Sequence, residues 1–316
     1  IQSTGVPHLG NILGAIKPMI HLSNQPEHEA FAFIADLHSL TSIKNAEERK
    51  QYVRAVSAAW LACEFDTEKN TLYRQSDVPE VTELAWYLSC FTPFPMLANA
   101  HSFKDKSERL NEVNAGLFTY PVLMAADIIG YDAEIVPVGK DQLQHIEITR
   151  DIAGSFNHTY GDTFVIPAPS IQSDVMVLPG IDGRKMSKSY NNTINIFLPE
   201  KELKKVIMSI QTDSTPIEEP KNPDRCNVYQ IFKHIAPEAL SNEMHTKYLQ
   251  GGYGYGQAKT ALFEYLRDNF SNERARYIQL MEHPEQLDTL MLKGADKARH
   301  VISNVIQRVR ERLGFN

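Results

Sequence analysis

Only three cysteines, Cys63, Cys90 and Cys226, occur in 316 residues, and no two stand at a paired spacing, which argues against both a disulfide framework and a thiolate zinc site. No run of eighteen apolar residues exists and no basic-then-apolar leader opens the chain. Neither a membrane span nor secretion is indicated, and the cytoplasm is the expected compartment. Positive charge is short as well: 32 Lys and Arg stand against 39 Asp and Glu, and a net charge of −7 argues against a protein dominated by nonspecific nucleic-acid binding. The shortfall is uneven, with net −8 before Phe197 and +1 from there on. The last helix-like stretch is the most basic, carrying Lys293, Lys297, Arg299, Arg308, Arg310 and Arg312 against Asp296 and Glu311. It reads as a solvated helix face or as a surface for phosphates. Internal repeats and low-complexity tracts are absent. What is there is a chain 42% hydrophobic and long enough for one large domain and a smaller one. It opens on Ile1 with no strand ahead of the first turn, so further native residues are expected before it.

Short apolar runs alternate with longer amphipathic ones in the first half. AFAFIAD (30–36) predicts a strand and precedes a helix around 47–64; TLYRQ (71–75) precedes another helix; AEIVPVG (133–139) leads into KDQLQHIEITRDIAG. This order predicts an α/β fold, a Rossmann-type parallel sheet with helices on both faces, whose ligands sit beyond the carboxyl ends of the strands. Asp36 and His38 follow the first of these strands, and Gly139, Asp141 and Gln142 follow IVPV, so both sets point to one rim. For His38 alone, a hydrogen-bonded loop histidine is an equally good reading. After about residue 197 come helices without strands: PEKELKKVIMSIQ, CNVYQIFKHI, AKTALFEYLRDNF and GADKARHVISNVIQRVRERL, separated by the Pro- and Gly-rich TPIEEPKNPD and GGYGYG. The expected division is an α/β domain over 1–196 and an all-helical C-terminal domain over 197–316.

Two segments carry chemistry. In STGVPHLGNILGAI (3–16), Leu9, Ile12, Leu13 and Ile16 form an apolar helical stripe, and Pro7 suits the first turn. His8 and Asn11 share another face, near free backbone N–H groups that attract anions. A helix cap with two solvated polar residues accounts for them equally well. In GRKMSKSYNN (183–192), Lys185 and Lys188 follow a glycine-rich lead-in; by composition such a stretch is more often a solvated surface loop, but it is also able to close two ammonium groups over a polyphosphate.

Together the two segments resemble the class I aminoacyl-tRNA synthetases. PHLGN (7–11) is similar to the first signature of that class in the form ending in asparagine, and KMSKS (185–189) is identical to the second. The resemblance covers essentially the whole chain. It implies that Gln2, Ser3, Thr4, Gly10 and Asn11 bind ATP, with His8 on its phosphates, and that Gly139, Lys140 and Asp141 meet its ribose and adenine side while Met176 flanks the adenine. The second signature, Lys185, Met186, Ser187, Lys188 and Ser189, closes over the phosphates. His8, Asn11, Lys185 and Lys188 are the implied catalytic groups, acting with Mg²⁺ carried by the ATP.

FTYPVLMAADIIGY (118–131) bears on the amino acid. Asp127 is the one charge in an apolar helix and needs a partner, either a structural donor or a ligand. Met124 lies one turn earlier on the same face, and an indole, flat and apolar with a single N–H, complements the pair. The stretch and GKDQLQHIEITRD resemble the tryptophanyl branch of the family; its tyrosyl sisters carry a glutamine where Met124 stands. The resemblance implies that Asp127 reads the indole N–H, that Met124 packs on the ring, and that His38 and Gln142 complete the pocket. It further implies a tryptophan–tRNA ligase acting on L-tryptophan and tRNA(Trp), a homodimer with a dimerisation and tryptophan-binding insertion in 1–196, and an anticodon-binding role for 197–316. Some members hold an iron–sulfur cluster on four cysteines in the C-terminal part; Cys226 stands alone there, so neither a cluster nor zinc is expected. The alternatives are a tyrosyl enzyme, disfavoured by Met124, a small nucleotidyltransferase, disfavoured by KMSKS, and a non-catalytic RNA-binding paralogue, disfavoured by the intact His8, Asn11, Lys185 and Lys188.

Overall fold

The computed structural model describes residues 3–100, 103, 113–171 and 178–315. The first helix is interrupted: α1 (Leu9–Asn11) passes through a π-helical turn (Ile12–Ile16) into α2 (Lys17–Ser23). Leu9, Ile12 and Ile16 of the expected stripe are fully buried and Leu13 is half-buried. π turns are frequent at functional sites, and Gly14 and Ala15 on this one line the cavity described below.

Strand β1 (Phe31–Ile34) pairs in parallel with β2 (Thr71–Arg74), Phe31 opposite Thr71 and Ile34 opposite Arg74. Between them run the short α3 (Asp36–Ser39) and the crossover helix α4 (Ala46–Ala62). Asn45 caps α4 by accepting the Glu48 N–H at 2.9 Å, and Glu47 and Glu48 sit in its first turn, where the helix dipole favours negative charge. Helices α5 (Glu80–Ser89), α6 (Phe94–Ala98) and α7 (Ala115–Ile129) lead to β3 (Ile135–Val138), α8 (Leu143–Tyr160) and β4 (Ala168–Ile171), and β3 pairs in parallel with β4. Among the described residues the expected sheet is present as two parallel pairs, with β1 and β3 facing one another across a cavity. The sequence reading did not pick out β4, because Pro167 and Pro169 interrupt its apolar run.

Beyond Phe197 the chain is helical: α9 (Glu200–Met208), α10 (Asn227–Ile235), α11 (Glu238–Gln250), α12 (Tyr255–Asn269), α13 (Ser271–Glu282) and the 30-residue α14 (Pro284–Leu313). Helices α11 and α13 also escaped the sequence reading; each buries only three side chains, too few for a visible stripe. One apolar core joins α1, α2, β1 and α4 to α9–α13, and a second joins β2, α5, α7 and α8 to α14. Both halves contribute to both cores, so the division at 196/197 marks a change in secondary structure and not in packing.

Helix α14 lies directly on β2. A Cβ on Gly294 would stand 1.9 Å from the Leu72 carbonyl oxygen, so only glycine permits the approach. Its basic residues meet acidic ones of the first half. Arg308 donates to Asp132 Oδ1 at 2.6 Å and Arg310 to both oxygens of Glu83 at 2.6 and 2.8 Å. Lys293 donates to Glu68 at 2.8 Å, Lys297 to the Thr67 carbonyl at 3.0 Å, and Arg299 lies 3.5 Å from Glu80. The run read as a solvated face or a phosphate surface is thus largely paired within the chain, which gives the charge asymmetry between the halves a structural meaning. No described helix is long and apolar enough to cross a membrane.

Candidate active site

The two signature segments meet. Leu9 N–H donates to the Ile194 carbonyl at 2.8 Å, which seats the start of α1 against the chain just beyond KMSKS. His8 N–H is capped by Asn11 Oδ1 at 3.2 Å, so Asn11 closes the helix start as well as facing it. A Cβ on Gly10 would come within 3.1 Å of the His8 ring and 3.7 Å of Met186 Sδ, so a glycine lets the imidazole fold over the helix start beneath the second signature. Lys188 Nζ donates to the Gly5 carbonyl at 2.8 Å.

KMSKS sits on a hairpin. Gly180 N–H donates to Arg184 O at 2.7 Å, Met186 N–H to Leu178 O at 2.9 Å, and Asn192 Oδ1 accepts from Ser187 N–H at 2.8 Å. Met186 is buried and anchors the loop, while Lys188 is half-buried and Ser189 exposed. Burial lowers the Lys188 ammonium to about 8. Burial, and then the Lys188 charge, lowers His8 to about 4, so the imidazole is neutral at pH 7, with its buried Nδ1 lacking a hydrogen-bond partner. A neutral imidazole beside an ammonium and a helix start suits a polyphosphate. Lys185 is not brought to this point; it is exposed, in a groove with Asp224, Arg225, Asn227 and His234. Ser3 is fully buried with an unpartnered hydroxyl, and Thr4 is exposed. Gln2 and Met176 lie outside the described residues.

His38, Met124, Asp127 and Gln142 line a single cavity of about 690 Å³ between β1, β3, α7 and the π turn. Gly139 joins them, whereas Lys140 and Asp141 are exposed on the turn that follows β3. Asp127 is buried and doubly held: His38 Nε2 donates to Oδ2 at 2.8 Å, and Gln75 Nε2 lies 2.8 Å from both oxygens. Burial raises its pKa, and the bonds from His38 and Gln75 pull the other way. Asp36, from the same rim, does not bond this carboxylate; it accepts from the backbone N–H and hydroxyl of Ser76. Sequence reasoning missed Gln75, Phe33 and Tyr120. Gln75 ends TLYRQ, a polar residue at the carboxyl end of a strand and so a legible signal; Phe33 and Tyr120 look like ordinary core. Both line the cavity, and the Tyr120 hydroxyl is 2.6 Å from His145 Nε2. No group of three or more His, Cys, Asp or Glu among the described residues could hold a metal ion.

Residues 1–271 match the family described as tRNA synthetases class I (W and Y). The chain belongs to this family of class I aminoacyl-tRNA synthetases. Within it, the tryptophan–tRNA ligases of Fusobacterium nucleatum and Rhodopirellula baltica are 46% and 45% identical to it, each match covering 100% of this chain and 96% and 98% of those proteins. The crystal structure of tryptophanyl-tRNA synthetase from Campylobacter jejuni complexed with ADP and tryptophan superposes with a TM-score of 0.95 at 44% identity, covering 100% of this chain and 98% of that one. The Mycoplasma pneumoniae enzyme gives 0.81 at 28% identity over 100% and 96%.

Proposed function

We infer that this chain is a tryptophan–tRNA ligase, which joins L-tryptophan to ATP as tryptophanyl-adenylate, releases pyrophosphate, and passes the acyl group to the 3′ end of tRNA(Trp). The observation that carries the reading is the convergence of His38, Met124, Asp127 and Gln142 on one cavity that borders the π turn after the first signature. Asp127 accepts the indole N–H, Met124 covers the ring, and His38 and Gln142 close the pocket. ATP enters as its Mg²⁺ complex. Its phosphates lie against His8, Asn11 and Lys188, with Ser3, Thr4 and Gly10 lining the turn and Gly139, Lys140 and Asp141 on the nucleoside side. Lys185 reaches the phosphates only if the hairpin moves, since its ammonium starts in the outer groove. The tryptophan carboxylate attacks the α-phosphorus, so no enzyme nucleophile is required, and catalysis is positioning plus charge stabilisation of the departing pyrophosphate. Helices α9–α13 are the candidate anticodon-binding part, the protein works as a homodimer, and its compartment is the cytoplasm.

Amino-acid-dependent exchange of pyrophosphate into ATP, run with all twenty amino acids, tests the reading. Exchange with tryptophan alone supports it; exchange with tyrosine would move the chain to the sister activity, and RNA binding without exchange would make it a non-catalytic paralogue.

A further inference from the structure

Gln75 stands in the turn after β2, fully buried, and touches the substrate cavity only through another residue. Its amide orientation is fixed from outside: Leu37 N–H donates to Oε1 at 3.2 Å, so the NH₂ group must face Asp127. There it lies 2.8 Å from each carboxylate oxygen, while His38 takes Oδ2. A carboxylate offers about four acceptor sites, two on each oxygen. Oδ2 is filled by two donors and Oδ1 by one, so the free acceptor capacity is on Oδ1. The turn that carries Gln75 is itself braced, since Arg74 pairs with both Asp77 and Asp288.

We propose that Gln75 is a specificity-positioning residue, an uncharged clamp that fixes the Asp127 carboxylate so that one lone pair of Oδ1 is left for the indole N–H of tryptophan. A cation at this position would compete for the charge that the indole must find. A second carboxylate would repel it. An amide does neither, and its nitrogen, held in a rigid plane, spans the two oxygens. The proposal rests on Asp127 being the indole acceptor, so the two must be tested side by side.

The experiment compares pyrophosphate exchange with tryptophan and with the analogue that carries sulfur in place of the indole nitrogen, in the wild type, Gln75→Met, Asp127→Ala and the double variant. Gln75→Met should lower kcat/KM for tryptophan about ten- to a hundredfold, chiefly through KM, as expected for a hydrogen bond to a charged group that is no longer aimed. The analogue's kcat/KM and the KM for ATP should stay near wild type. The double variant should discriminate no less well than Asp127→Ala alone, because Gln75 acts only through Asp127. Equal losses for both substrates, or a wild-type preference retained by Gln75→Met while Asp127→Ala loses it, would overturn the proposal and leave Asp127 in place. A preference retained by Asp127→Ala would overturn both. Should Gln75→Met fail to fold, Gln75→Asn, which stays an uncharged amide but is one methylene too short to hold both Leu37 N–H and the carboxylate, carries the same comparison.

Discussion

Lys188 and Gly5, 183 residues apart in sequence, are joined by one hydrogen bond, the lysine ammonium donating to the glycine carbonyl at 2.8 Å. Gly5 has φ +142°, and a Cβ there would stand 2.9 Å from Lys188 Cδ. The backbone conformation favours glycine, and a methyl there would push the lysine side chain aside. The contact makes the second signature's lysine a neighbour of the turn that leads into the first signature.

Lys188→Ala is expected to lower the adenylation rate by roughly 10²-fold or more while the dissociation constant for tryptophan barely changes, the pattern of an interaction made mainly in the transition state. Single-turnover adenylate formation and equilibrium dialysis separate the two quantities. Gly5→Ala should reproduce part of the rate loss by displacing the lysine. An unchanged rate in Lys188→Ala would remove the lysine from the chemistry.

Two titrations follow from burial. Lys188, at about 8, loses its proton in the free enzyme as pH rises through that value, so kcat/KM for ATP should fall on an alkaline limb near 8 that Lys188→Arg abolishes. Between about 8 and its ordinary 10.5 the unfolded chain holds more protons than the folded one, so this group adds stability as pH rises through that window. For His8 the folded pKa of about 4 lies below the ordinary 6.5, so the stability tied to its neutral form is present above 6.5 and is lost as pH falls toward 4. Its imidazole resonances should titrate near 4, and higher in Lys188→Ala, where the neighbouring charge is gone. A midpoint near 6.5 would show that the ring is solvated.

Charge reversal on α14 is expected to act on the fold and not on RNA. Arg308 bonds both Asp132 and the Thr163 carbonyl, in a partly exposed pair. Arg308→Glu should lower the melting temperature by roughly 1 to 3 °C and leave the salt dependence of the tRNA KM unchanged. A flattened salt slope with unchanged melting would restore the phosphate-surface reading of this helix.

Gly294→Ala gives a sign test. In an ordinary helix interior this change stabilises by about 0.5 to 1 kcal/mol. Here the new methyl would collide with the Leu72 carbonyl, and helix and strand would have to part, costing about 1 to 3 kcal/mol. Thermal melting reads the sign directly, and a rise would mean that α14 is not seated on β2.

Local signals carried well. The alternation of runs marked β1, β2, β3 and their helices, and the two signatures marked His8, Asn11 and Lys188, because period and turn chemistry are written in neighbouring residues. Asp127 was legible as a charge in need of a partner, but which partner was not: the structural donors are present, His38 and Gln75, and the carboxylate they bind also lines the cavity. Asp127→Ala should therefore destabilise the protein by about 1 to 3 kcal/mol through the stranded donors, in addition to its effect on tryptophan. The seating of α14 was hidden for a different reason. Its cationic residues look the same in sequence whether they face water, phosphate or carboxylates, and only long-range packing decides which.

That packing orders events in time. Arg74, at the end of β2, finds Asp288 only after 214 further residues have been added to the growing chain. Until α14 emerges from the ribosome, one side of β2 and part of the core that α5, α7 and α8 share are uncovered, and the turn bearing Gln75 lacks one of its braces. The support of the turn bearing Gln75 is therefore completed late in synthesis, and a nascent chain halted before α14 would present part of the second core uncovered.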